Sequence, residues 1–167
     1  MTLKIALACA AVAALPLTTE ACAADAQVRP AKGGVCGSGL NSEQAANAAA
    51  VIRAADDMGM PERATVIAVA TTLQESDLDS STVGDNGLAI GIFQQHPHWG
   101  RNRTNPEVSA RRFFSHLKQV KGWEDMPLTR AAQAVQNSAF PNAYAKHESR
   151  ATRIVAKLAS HACKEGR

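Results

Sequence analysis

With PERATVIAVATTLQES, residues 61–76, the chain commits to helix. Pro61 has the fixed φ that suits a first helical residue, and the ten positions from Ala64 to Leu73 carry no charge. A helix with almost no polar face must be covered on most sides by other elements. The neighbouring periodicities supply such elements. Asn41 and Gln44 have the spacing of a capping box, and Ala45, Ala48, Ala49, Ile52 and Ala55 then recur at helical intervals up to Gly59, which predicts a first helix over 42–58. Downstream, Pro106 opens a third helix with Ala110, Phe113, Phe114, Leu117 and Val120 on one face, closed by Gly122. Thr129 caps a short fourth helix running through Ser138. Pro141 opens a fifth whose stripe is Ala151, Ile154, Val155, Leu158 and Ala162. The expected fold class is all-α, with residues 61–76 as a buried central helix.

Composition agrees. The 167 residues include only seven aromatic side chains and many alanines, which argues against a sandwich or a barrel. Lys and Arg number 18 against 15 Asp and Glu, and a net charge of +3 is too small to mark a nucleic-acid partner. A monomer is expected.

The first 26 residues have the layout of a secretory signal peptide: Lys4, an apolar run from Ile5 to Leu15, Pro16, and a small-residue stretch permitting cleavage after Ala23 or Ala26. The run is too short to span a bilayer, which needs roughly 20 apolar residues, so a secreted or cell-wall-associated protein without stable membrane insertion is expected. Residues 27–39 read as a linker rich in Gly and polar side chains, and 40–167 as the domain. Export removes Cys9 and Cys22, leaving Cys36 and Cys163. In an oxidising compartment the two suggest a disulfide, worth up to about 5 kcal/mol by chain entropy for so long a loop. The rival reading is a cysteine nucleophile, but Cys36 sits in a Gly-rich stretch with nothing to lower its pKa.

Between the second and third helices, residues 77–103 are rich in Gly, Asp, Asn, Ser and Pro and form one long loop. Loops of that length in compact domains tend to be functional or disordered, and Leu88 to Phe93 is too apolar for disorder. The first candidate catalytic group stands where this loop begins. Glu75 follows ten residues of core at the negative end of a helix dipole, and both surroundings disfavour its anion. A carboxyl kept protonated near neutrality is what a general acid needs to protonate a glycosidic oxygen.

Glu75-Ser76, then Gly84-Asp85-Asn86-Gly87, then Gly91-Ile92-Phe93-Gln94 resembles the lysozyme-like superfamily of goose-type lysozymes and soluble lytic transglycosylases. Asn105-Pro106 with Phe113, and residues 132–136 with Tyr144 beyond them, resemble the wall-associated and phage-tail lytic domains of actinobacteria. The likeness covers about residues 40–150. It implies a lysozyme-like helical domain acting on the glycan strands of peptidoglycan, at the β-1,4 bond between N-acetylmuramic acid and N-acetylglucosamine, without a cofactor. By the same resemblance Glu75 is the catalytic acid and Ser76 steadies its carboxyl. Gln94, with its neighbour Gln95, contacts substrate along the groove. Tyr144 stands near the acid, and Asp85 matches a goose-type carboxylate that positions water. Two departures bear on the product. His96 stands where a second goose-type carboxylate falls, and Ala134-Val135-Gln136-Asn137-Ser138 replaces the usual transglycosylase motif. With Glu75 the one complete catalytic element, anhydro products are expected, and hydrolysis through Asp85 is the alternative.

Other residues carry less. His96-Pro97-His98 lacks the spacing that places two ligands on one helix face, so no metal site is expected. Trp99 suits sugar stacking or a lid over the core. Arg101, Arg103, Arg111 and Arg112 form either a solvated face or a contact for acidic wall polymers. A non-catalytic wall-binding module on the same scaffold is the remaining rival.

Overall fold

A computed structural model describes residues 39–137 and 142–165, with side chains as far as Ser160 in the last helix. The expected signal peptide, residues 27–38 of the expected linker, the expected Cys36–Cys163 pairing, the expected Ser138 end of the fourth helix and the expected Pro141 start of the fifth lie outside the described residues.

Five helices carry the described fold: α1 (Ser42–Asp57), α2 (Glu62–Glu75), α3 (Pro106–Leu117), α4 (Leu128–Gln136) and α5 (Glu148–Glu165). The mostly helical architecture expected from the periodicities is therefore present. The capping box forms as its spacing requires: Gln44 N donates to Asn41 Oδ1 and Asn41 N donates to Gln44 Oε1, each at 2.9 Å. The buried stripe of α1 is rotated from the one expected. Val51 and Ala54 join Ala45, Ala48 and Ala55 in the core, while Ala49 and Ile52 are only half-buried. An alanine-rich helix reads ambiguously because several of its faces are equally apolar.

Helix α2 is the axle of the domain. Every side chain from Ala64 to Leu73 is buried, and the helix touches α1, α3, α4 and α5. Two of its three buried threonines bond within the helix, Thr71 Oγ1 donating to the Ile67 carbonyl at 2.8 Å and Thr72 Oγ1 to that of Val69 at 2.9 Å. Those bonds remove the desolvation cost that two buried hydroxyls would otherwise impose.

The remaining helices differ from expectation at their ends. Asn105 caps α3 by accepting from Val108 N at 3.0 Å, with Pro106 in the first turn, but the helix stops at Leu117 and turns carry the chain on to Gly122. Helix α4 begins at Leu128 after Pro127, so Thr129 lies inside it and is not its cap. A 3₁₀ turn, Ala145–His147, precedes α5.

Residues 77–103 are not an irregular loop throughout. Two short strands, β1 (Val83–Gly84) and β2 (Ala89–Ile90), pair antiparallel around a 3₁₀ turn at Asp85–Gly87, with Val83 opposite Ile90. The segment contributes core as well as surface: Leu78, Ile92 and Phe93 are fully buried, and Phe93 stacks on Phe113 of α3 at 4.9 Å between centroids. Gly91 allows this fold-back. Its φ is +76°, and a Cβ there would lie 2.4 Å from the Arg103 carbonyl oxygen, a position no other residue can occupy without displacing the backbone.

Candidate active site

Glu75 is the last residue of α2 and reaches a cleft of about 530 Å³ lined by Gln94, His96, His98, Trp99, Val135, Gln136 and Asn137. Burial raises its pKa above the usual carboxylate value, because desolvation penalises the anion, and hydrogen bonds from Tyr144 and Gln136 pull it partly back. Tyr144 Oη donates to Glu75 Oε1 at 2.8 Å. The tyrosine is itself 1% exposed, so its ring is clamped in the core and only the hydroxyl meets the site. The Gln136 amide also donates to the Phe93 carbonyl at 2.9 Å, which ties the end of α4 to the segment across the cleft.

The other residues singled out by sequence divide. Gln94 does line the cleft, held by its amide nitrogen donating to the carbonyls of Thr82 and Gly91, both at 3.0 Å. It adopts φ +47°, and its Oε1 packs where a Cβ on Gly84 would stand, 2.6 Å away. Gln95 does not face the groove. It is 1% exposed, and its amide nitrogen donates to the Ser109 carbonyl of α3 at 3.0 Å. The two side chains part because Gln94 turns the chain at positive φ while Gln95 lies in a β-bridge with Ile90.

Ser76 has a different partner from the one expected. Its hydroxyl donates to the Ile92 carbonyl at 3.0 Å and lies 3.3 Å from that of Thr72, so it anchors the 91–94 segment to the helix end and does not bond the Glu75 carboxyl. The steadying of the acid falls to Tyr144 and Gln136. Asp85 sits on the turn between β1 and β2 at φ +45°, half exposed, with its Oδ2 3.5 Å from His96 Nε2. Asp85 is not among the residues lining the cleft; His96 is.

Gln136 and Asn137 were legible only as part of a resemblance, yet both line the cleft with Gln94. The usable signal is a pair of amides closing the apolar helix α4, where Asn137 takes the left-handed conformation at its C-terminus. Trp99 lies beside the core and packs on His116 at 4.3 Å between centroids, with the His98 ring at 6.0 Å. The arginines are largely structural. Arg111 pairs with Asp57 and Glu107, Arg112 donates to the Arg101 carbonyl, and Arg103 donates to the carbonyls of Leu88 and Gln95.

Among the described residues, no group of three or more His, Cys, Asp and Glu could hold a metal ion, and no helix is long and apolar enough to cross a membrane. No protein-family model matches the chain, and no curated protein matches it.

Proposed function

We propose that this chain is an exported, lysozyme-like enzyme that cleaves the β-1,4 bond between N-acetylmuramic acid and N-acetylglucosamine in peptidoglycan, with Glu75 as general acid. The observation that carries the reading is a carboxyl with raised pKa, hydrogen-bonded to a buried tyrosine, at the floor of a cleft walled by amides and aromatic rings. Amide and ring walls suit an N-acetylated sugar chain: amides bond hydroxyls and acetamido groups, and rings stack on pyranose faces.

Glu75 protonates the leaving oxygen while positive charge develops at the anomeric carbon. The resulting carboxylate then takes the proton of the same sugar's 6-hydroxyl as that oxygen closes on the anomeric carbon. The product is an anhydro ring, and the acid is restored. This route needs one carboxyl and no cofactor. Hydrolysis is the second reading, favoured by Asp85 lying beside a cleft-lining histidine.

Digestion of purified peptidoglycan by the mature protein, with the muropeptides weighed by mass spectrometry, tests the proposal. Anhydro-ended fragments support it. Binding without release of fragments from several walls would replace it with the non-catalytic module, and loss of lysis on alkylating native protein would favour the cysteine enzyme.

A further inference from the structure

Asp85 and His96 come from different parts of the 77–103 segment, one on the hairpin turn and the other after the bridge from Ile90 to Gln95. They meet with Asp85 Oδ2 at 3.5 Å from His96 Nε2. The hairpin register makes this meeting specific, because the β1–β2 pairing and the bonds from Gln94 to Thr82 and Gly91 hold the turn against the segment carrying the imidazole. Two ionisable groups lie beside His96, Asp85 at its Nε2 and His98 with its ring centroid 6.1 Å away, and Glu75 lines the same cleft. A carboxylate beside one ring nitrogen orients the imidazole through that nitrogen, and the ring that carries the other nitrogen lines the cleft. The His96 side chain is 40% exposed and that of Asp85 54%, so water reaches both.

We infer that His96, oriented by Asp85, activates water and gives this cleft a second, hydrolytic outlet beside ring closure. The inference rests on Glu75 acting as the acid. In this branch Glu75 gives its proton to the departing oxygen as the glycosidic bond breaks. Water's oxygen bonds to the anomeric carbon, and its proton passes to the free nitrogen of His96. Glu75 is left as carboxylate and His96 as imidazolium, and solvent returns both to their starting forms after product leaves. One water is consumed, no oxidant or reductant is needed, and the product has a free reducing end. His96 is the catalytic base of the branch; Asp85 is a positioning residue.

The experiment is digestion of peptidoglycan in oxygen-labelled water, reading the ratio of labelled reducing ends to unlabelled anhydro ends within each reaction. That ratio is independent of how much protein is folded or how fast it works. Wild type is expected to give both ends. His96→Ala should lower the labelled share at least tenfold, and added imidazole should restore part of it; Asp85→Asn should lower it less. A ratio unchanged in His96→Ala, or wild type giving anhydro ends alone, overturns the inference and leaves the Glu75 reading standing. Wild type releasing no fragments overturns both.

Discussion

Tyr144 and Glu75 are 69 positions apart in the chain and 2.8 Å apart in space. The hydroxyl donates to the carboxyl from a ring sealed in the core, so the acid is fixed by groups from α4 and the approach to α5 and by none on its own helix. A bond of this kind stabilises the anion more than the neutral acid, and burial does the reverse. The net upward shift of Glu75 means burial prevails.

Replacing Glu75 with Gln should reduce wall lysis by about 10²- to 10⁴-fold, the usual cost of losing a general acid. The same variant reports on stability. A carboxyl whose folded pKa is raised binds its proton more tightly in the folded state, so its contribution is fully present below the unfolded value and is lost as pH rises through the folded one. Glu75→Gln should therefore match wild type in acid and melt at a slightly higher temperature at neutral pH, a difference that scanning calorimetry at two pH values can read.

Tyr144→Phe keeps the buried ring and removes one bond that lowers the acid's pKa. The alkaline limb of the lysis profile should move to higher pH, since Glu75 stays protonated longer. Stability should fall by about 1 kcal/mol, the net worth of a typical hydrogen bond. An alkaline limb moving downward would mean that the hydroxyl does not act on Glu75 as the geometry requires.

Gly91→Ala and Gly59→Ala form a matched pair. Both glycines have positive φ, but a Cβ at Gly59 meets nothing within 4 Å while one at Gly91 strikes the Arg103 carbonyl. Gly59→Ala should cost about 1 kcal/mol, the left-handed penalty alone. Gly91→Ala should cost about 3 kcal/mol or more, because strain and a backbone clash add, and urea midpoints would show the gap.

Gln94 and Gln95 are adjacent and should behave as unlike residues. Gln94→Ala opens the cleft wall and frees the hairpin, so affinity for an N-acetylglucosamine oligomer should drop when titrated in a Glu75→Gln background. Gln95→Leu loses the bond to Ser109 but also removes a buried side-chain carbonyl that has no hydrogen-bond partner. Its stability should stay within about 1 kcal/mol of wild type, with affinity unaltered.

Protein produced under oxidising conditions and denatured without reductant should take up no iodoacetamide at Cys36 or Cys163 if the two are bonded. Labelling at both sites would reject the disulfide.

Local sequence by itself determined the helices and the placing of the acid. The uncharged run of residues 64–74 that leads into Glu75 reads as a covered helix with a carboxyl at its exit, because periodicity and burial act within a few neighbours. The cap at Asn41 was legible for the same reason, because a capping box is closed between residues three apart. What surrounds the acid was decided by tertiary structure alone. Which face of α1 turns inward, which of Gln94 and Gln95 points into the cleft, and why Ser76 bonds Ile92 and not Glu75 all depend on how residues 77–103 fold back onto α2 and α3. That fold-back is set by a two-residue strand pairing and by packing of Phe93 on Phe113, interactions between residues distant in the chain, which no local spacing encodes.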